Sequence, residues 1–186
     1  MEEPRYLTGQ LLLAMPGMAD PRFEKAVIAM CMHDENGALG IGLGRIVPRI
    51  GFYELLRQLE IEPGLAPDVP IHVGGPVEPQ RGFILHSLDW GGQESMNVAG
   101  RWGLTATLDI LRAIAEGKGP SRWIAALGYA GWTGGQLEDE LVGNGWFNTP
   151  ANEHILFDCD VGSRWSAAFA DAGIDARLLA SGTGNA

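Results

Sequence analysis

The sequence predicts an α+β fold in which hairpins, rather than regular β-α-β units, build the sheet. Three observations support this prediction. Strand-like apolar runs alternate irregularly with segments of helical periodicity. Two of these runs, residues 26–32 and 38–46, flank a polar turn that ends in Asn36-Gly37, a strong local signal for a hairpin. The chain has 186 residues, which is enough for one substantial core.

Strands are predicted where a short apolar run is bounded by glycine, proline or polar residues. These runs are residues 9–15, 26–32, 38–46, 69–73, 82–86, 123–129 and 155–157, with a candidate edge strand at 95–99. Gly40, Gly42 and Gly44 recur at every second position, so one face of their strand carries no side chains. This pattern suits close packing, a bulge or a ligand groove, and close packing is favoured.

Helices are predicted where apolar residues recur every three or four positions. Residues 52–59, 108–115 and 163–172 show this pattern, and a short helical turn begins at Asp20 with Pro21 in the first helical position. The residues from 181 onward are small and polar. We therefore expect a single domain over residues 1–180 and a disordered tail over residues 181–186.

Residues 127–146 combine the end of a strand, a glycine-rich turn, a short acidic helix and an aromatic return. Thr133 precedes Gln136 by three residues, which is the spacing of a capping box, with Thr133 as N-cap. The many glycines beside Tyr129 and Trp132 indicate close approach by a ligand or by a neighbouring strand. An ordinary strand–turn–helix corner is the favoured alternative.

Composition and charge exclude some classes of function. The net charge of −10 and the pI of about 4.7 argue against a nucleic-acid surface, and the 13 basic residues are scattered. The two cysteines have no metal-binding spacing and are expected to be reduced thiols. No signal-peptide pattern and no membrane-length apolar run is visible, so we expect a cytoplasmic protein without membrane contact.

Two glycine-rich stretches are candidates for phosphate or dinucleotide sites. The run Gly74-Gly75-Pro76 follows a predicted strand, so its amides could form an anion-binding nest, although a tight turn is favoured. It lacks the lysine and hydroxyl residues of a phosphate loop. The run from Gly40 to Gly44 lacks the spacing of a dinucleotide fingerprint. No cofactor is expected.

Several polar residues are weak catalytic candidates. Cys31 and His33 would share one face of a regular strand and could form a reactive thiol–imidazole pair, against the favoured interpretation of a buried, inert cysteine. Glu138 and Glu140 could act as paired carboxylates, but acidic residues near a helix start usually serve the helix dipole. Arg81 and His86 flank one strand and lie five residues apart, on opposite faces. We therefore assign no catalytic residue and no metal site.

Four blocks of sequence resemble the YqgE/AlgH family of bacterial proteins. They are Leu13-Ala14-Met15-Pro16 with Met18, Asp20 and Phe23; Val27 to His33 followed by Asn36-Gly37-Ala38-Leu39-Gly40; Gly74-Gly75-Pro76-Val77 with Arg81 to His86; and Gly128 to Trp132 followed by Gly135 to Glu138, Glu140, Asn144 and Trp146. The likeness extends from about residue 9 to about residue 172. One departure is Gly44 before Arg45, where the family commonly has an asparagine.

The resemblance implies a fold more than a function. The expected structure is a partly open, bulged, antiparallel barrel-like sheet flanked by helices. The family has no established biochemical activity, and one branch carries the label of transcriptional regulator. Direct DNA binding by this chain is disfavoured, because the sequence is strongly acidic and has no helix-turn-helix signal.

The favoured hypothesis is a binding or adaptor domain for an unknown protein or small-molecule partner, with an indirect regulatory role as one consequence. Its predicted surface comprises Gly74, Gly75, Pro76, Arg81, His86, Tyr129, Trp132, Gln136 and Glu140. An enzyme that uses Cys31, or the carboxylates of Glu138 and Glu140, is the second hypothesis. A transcriptional regulator is the third.

Overall fold

A curled sheet with helices on both faces forms the framework of the computed structural model, which describes residues 6–18, 20–91 and 94–183. The strands are β1 Gln10–Ala14, β2 Val27–Asp34, β3 Gly37–Gly42, β4 Ile46–Gly51, β5 Pro70–Val73, β6 Val77–His86, β7 Met96–Val98, β8 Trp102–Thr105, β9 Trp123–Thr133 and β10 Trp146–Pro150. The helices are α1 Phe52–Gln58, α2 Leu108–Ala115, α3 Gln136–Val142, α4 Val161–Asp171 and α5 Ala176–Thr183, with a 3₁₀ turn at Pro21–Phe23 and a π-helical turn at His154–Asp158.

Strand β9 lies at the centre of the sheet and pairs with three other strands. The strand order is β10-β1-β2-β3-β9-β6-β8-β7, and β5 joins β9 with β4 beyond it. The β5–β9 pair is parallel, whereas the other described pairs are antiparallel. This curled antiparallel half-barrel with flanking helices confirms the predicted α+β fold.

Three apolar clusters hold the layers together. The largest fills the concave face of the sheet and is closed by α4 and α5, with Trp102 and Phe169 fully buried inside it. On the convex face, α3 covers one half by packing Leu137 into the cluster that contains Trp146 of β10. Helices α1 and α2 cover the other half through Phe52 and Ile110. Each helix therefore buries its apolar stripe against one region of the sheet. Among the described residues, no helix is long and apolar enough to cross a membrane.

The predicted hairpin, helices and edge strand are present, although their first and last residues differ from the prediction. One predicted strand was wrong. Residues 155–157 form part of the π-helical turn, because the carbonyl groups of Ile155 and Leu156 accept hydrogen bonds from the buried Arg164 side chain instead of from a neighbouring strand. Strands β4, β8 and β10 were not predicted. Helix α5 extends to Thr183, into the predicted tail, and residues 184–186 lie outside the described residues.

The chain crosses over β9 between β5 and β6. Strands β5 and β6 pair with opposite edges of β9, over Ala125 to Leu127 in both cases, so residues 74–76 must pass across its face. A Cβ atom on Gly74 would overlap the carbonyl oxygen of Gly128, and one on Gly75 would overlap the backbone of Tyr129. We call residues 74–76 the glycine crossover. It brings two backbones together without intervening side chains.

A buried guanidinium joins α4 to the sheet. Arg164 is 2% exposed and donates hydrogen bonds to the carbonyl groups of Leu43, Ile155, Leu156 and Cys159. Its Nη1 also donates to Nε2 of His72 at 3.1 Å, and Nδ1 of His72 donates to the carbonyl of Ala125 at 3.3 Å. Burial, together with the charge of Arg164, lowers the pKa of His72 to about 4. His72 therefore stays neutral at neutral pH.

A β-bulge separates the two members of the predicted thiol–imidazole pair. The register between β2 and β3 shifts between Met30 and Met32, so Cys31 has no partner in β3. Cys31 points into the concave cluster, whereas His33 pairs with Ala38, a member of the convex cluster. Burial raises the pKa of the Cys31 thiol to about 12. The prediction of a shared face was wrong, because the extra residue inverts the alternation.

The first prediction concerns the glycine crossover. G74A should destabilise the protein by about 3 kcal/mol or more, because the new methyl group has no room beside the backbone of β9. Urea unfolding would measure the change. G162A is the matched control, because a Cβ at this position in α4 meets no heavy atom within 4 Å. A G74A variant as stable as G162A would contradict the close approach.

The second prediction concerns thiol reactivity. In a C159S variant, Cys31 should not react with Ellman's reagent at about pH 8 until the protein is unfolded, because a thiol with a raised pKa and no solvent contact presents almost no thiolate. The half-buried Cys159 in a C31S variant provides the comparison. Rapid labelling of Cys31 in the native C159S protein would restore the thiol hypothesis.

The third prediction concerns pH. The folded state depresses the pKa of His72 from 6.5 to about 4, so the unfolded chain binds more protons between these values and stability falls as the pH falls. Between about pH 7.5 and about pH 5, His72 should account for about 2 kcal/mol of lost stability. Urea unfolding at both pH values should show a smaller loss in H72Q. Burial also lowers the pKa of His86, so H72Q should still lose some stability as the pH falls.

Candidate functional site

An apolar pocket of about 320 Å³ opens beside the glycine crossover. Its lining includes the 3₁₀ turn, the start of β2, the end of β3 and the crossover itself. The apolar side chains in the lining are Phe23, Ala26, Val27, Ile28, Val73, Pro76, Pro79 and Ala130. The backbones of Gly42, Gly44, Gly74 and Gly75 complete the wall. The charged residues in this lining are Arg22 and Arg45, so the pocket is apolar inside and cationic at two positions.

Gly74 serves the wall of the pocket and does not offer its amide to an anion. The Gly74 amide donates to the carbonyl of Leu127 at 2.7 Å, and the Gly74 carbonyl accepts from the Gly42 amide at 2.7 Å. Both polar groups of Gly74 are therefore used within the sheet. The alternating glycines of β3 serve close packing, since a Cβ on Gly42 would lie 2.6 Å from the carbonyl oxygen of Val73. Gly42 at the end of β3 and Gly44 just beyond it also border the pocket, so close packing and a groove coexist here.

An aromatic groove of about 550 Å³ adjoins the pocket and shares Arg22, Phe23 and Pro76 with it. Trp132 and Trp146 line it and meet edge to face, with ring centroids 6.1 Å apart. The Glu140 carboxylate accepts hydrogen bonds from both indole N–H groups, at 3.2 Å and 2.9 Å. Glu140 therefore orients the two tryptophans.

Gln136 completes this arrangement through half of the predicted capping box. Its Oε1 accepts from the Thr133 amide at 3.0 Å, and its Nε2 donates to Glu140 at 3.0 Å. The N-cap of α3 is Gly135, at a φ of +82°, and not Thr133. The Thr133 hydroxyl donates to Gln136 Oε1, and the helix amides receive no side-chain cap. Two glycines in the turn displace the helix start by two residues.

Helix α3 is anchored by a histidine that the sequence analysis assigned elsewhere. His33 Nδ1 accepts from the Leu7 amide at 3.0 Å, so its proton lies on Nε2, which is 2.5 Å from Glu138 Oε1. This fixed tautomer ties β2 and the N-terminal segment to α3. Both ring nitrogens and the Glu138 carboxylate are occupied in this contact. Among the described residues, no group of three or more metal-binding side chains comes together.

Three of the predicted site residues lie away from the pocket. His86 is buried, with Nδ1 donating to the Ser87 carbonyl at 2.8 Å and Nε2 2.8 Å from the Thr105 hydroxyl. Arg81 is exposed, lies 5.1 Å above the Phe83 ring and pairs with Glu78 at 3.4 Å. Tyr129 packs edge to face on Phe83, with centroids 6.1 Å apart. The pocket and groove therefore bring together the other six: Gly74, Gly75, Pro76, Trp132, Gln136 and Glu140.

The residues that give the pocket its chemistry were not predicted as site residues. Phe23 stands in the first family-like block, but Arg22, Arg45 and Val73 carried no motif. The available signal was their position: each lies next to a turn or a strand end, where polar and apolar side chains converge on a sheet edge.

Comparisons with known proteins support the resemblance. A family model described as AlgH-like matches residues 11–177. A UPF0301 protein of Rhizorhabdus wittichii is 60% identical over 186 residues, covering all of both chains. A UPF0301 protein of Novosphingobium aromaticivorans is 58% identical, again over all of both chains.

Solved structures agree with this assignment. The solution structure of the AlgH protein from Pseudomonas aeruginosa matches with a TM-score of 0.80 at 40% identity, covering 96% of this chain and 95% of that one. A crystal structure from Corynebacterium diphtheriae has the same fold, with a TM-score of 0.75 at 21% identity. The chain therefore belongs to the AlgH-like family, as the four sequence blocks predicted.

Proposed function

We propose that this protein is a binding module that takes a small, mostly apolar molecule in the apolar pocket. The observation that carries the proposal is a preformed cavity, one wall of which is closely packed backbone. Its volume of about 320 Å³ falls within the range of about 300–1,000 Å³ that is typical of ligand sites. Backbone hydrogen bonds hold Gly74 in place, so this wall of the cavity does not depend on side-chain rotamers.

The aromatic groove supports a protein partner less well. Trp132 and Trp146 are only 8% and 5% exposed, so their rings offer little area to a partner. Both indole N–H groups are already bound by Glu140, which removes the donors that tryptophans usually contribute to interfaces. We therefore favour a small-molecule site over an adaptor surface.

The enzyme hypothesis finds no support in the placement of its residues. Cys31 is buried and holds its proton, with a pKa raised to about 12. Glu138 is bound to His33, and Glu140 is bound to two indoles and an amide. Both carboxylates are therefore engaged as acceptors that hold neighbouring side chains in place, and the buried thiol presents almost no thiolate.

We place the module in the cytoplasm, because Cys31 and Cys159 are both free thiols. An effect on gene expression would be indirect and would follow ligand occupancy. The net charge of −10 opposes direct contact with DNA phosphates. The fluorescent dye N-phenyl-1-naphthylamine, which is apolar and uncharged, provides a probe for the pocket.

The fourth prediction is that this dye binds saturably and that V73W weakens its binding by about tenfold or more. Val73 lines the pocket and is 40% exposed, so an indole at this position can fill the cavity without disturbing the core. V142W is the matched control, because Val142 is 83% exposed on α3 and does not line the pocket. Dye fluorescence would be titrated for all three proteins. Equal binding by V73W and V142W would rule out this pocket as the site.

A further inference from the structure

The charged residues at the solvent-exposed opening of the apolar pocket, which we call its mouth, indicate what kind of molecule the pocket binds. Arg22 and Arg45 line the pocket, and within the described chain no carboxylate belongs to that lining. The whole protein carries a net charge of −10, so two guanidinium groups beside one apolar cavity are a local exception. Such a mouth attracts anions that the rest of the surface repels.

Arg45 is held in place by the 3₁₀ turn. Its Nη2 donates to the carbonyl of Pro21 at 2.9 Å and to the carbonyl of Arg22. These bonds use both Nη2 hydrogens and restrict the orientation of the guanidinium plane. The Nε and Nη1 hydrogens have no hydrogen-bond partner among the described residues, so donors remain for a ligand.

The two arginines do not contribute equally. Arg22 makes a bidentate pair with Asp20, with Nε 3.1 Å from Oδ1 and Nη2 2.7 Å from Oδ2. This pair is close to neutral, and hydrogen bonds from Arg22 with the added charge of Arg45 lower the pKa of Asp20. Arg45 has no carboxylate partner among the described residues. About one positive charge therefore remains at the mouth.

We propose that the apolar pocket binds a small molecule with an apolar body and a single carboxylate, which Arg45 receives at the mouth. The inference rests on the proposed function and adds the charge and the contact residue of the ligand. A phosphate dianion would call for a second free cation, and Arg22 is already paired with Asp20. A monoanion matches the charge that is available.

The fifth prediction compares two probes that differ only at the polar end. Octanoate and octanamide have the same alkyl chain, but octanoate carries one negative charge at neutral pH. At low ionic strength, octanoate should displace the dye at about fivefold to tenfold lower concentration than octanamide, because it adds a charge-assisted hydrogen bond. Added salt should reduce this ratio.

Variants of Arg45 assign the preference to that residue. R45Q should bring the ratio of the two probes close to one, because it removes the charge that distinguishes octanoate from octanamide. R45K keeps the charge and should keep most of the preference, which a purely structural role for Arg45 would not explain. R112Q makes the same charge change on α2, where Arg112 is exposed and lies outside the pocket lining, and should keep the wild-type ratio.

The outcomes separate this inference from the proposed function. Equal displacement by both probes in the wild type, or an unchanged ratio in R45Q, would overturn the carboxylate assignment. In either case, saturable dye binding that is lost in V73W would still support the pocket as a binding site. Absence of saturable dye binding in the wild type would overturn both.

Discussion

This structure depends on one constraint at the centre of the sheet. There the backbone of the glycine crossover lies directly against the backbone of β9. Strands β5 and β3 meet end to end along one edge of β9, and β6 occupies the other edge. The chain must cross β9 to connect β5 with β6, and it can do so only where neither backbone carries a side chain. Gly74 and Gly128 provide that position, with Gly128 at a φ of +78°. A larger residue at either position would push the crossing segment away from the sheet.

The same constraint creates the pocket and its charge. Since the Gly42 amide is bound by the Gly74 carbonyl, β3 ends there and the chain turns away from the sheet through Gly44. Arg45 then follows at once, with its carbonyl accepting from the Val73 amide at 2.9 Å. Its side chain reaches the carbonyl groups of the 3₁₀ turn. The apolar lining of the pocket and the positive charge of Arg45 at its opening therefore both follow from the crossing of the chain over β9.

Periodicity predicted the elements well, but bulges decided which residues share a face. The α+β fold, the hairpin and the helices followed from apolar spacing. Cys31 and His33 were assigned to one face because a regular strand alternates, and a single extra residue in β2 separated them. The capping box failed in a similar way, because Gly135 at positive φ took the N-cap position. A regular repeat does not reveal such shifts, since one inserted residue, or one glycine at positive φ, changes which positions face each other.

The residues of the site could be predicted only in part, because local sequence patterns do not show which distant residues the fold brings together. Glycines and tryptophans are unusual enough to mark Gly74, Gly75, Trp132 and their neighbours as candidates. Arg45 and Val73 are ordinary residues, and only the crossing places them beside the 3₁₀ turn. His86 stands in the same family-like block as the crossover, but its ring is enclosed by Ser87 and Thr105. Family-like sequence therefore marks both the residues that build the sheet and those that border the pocket, and the backbone crossing determines which are which.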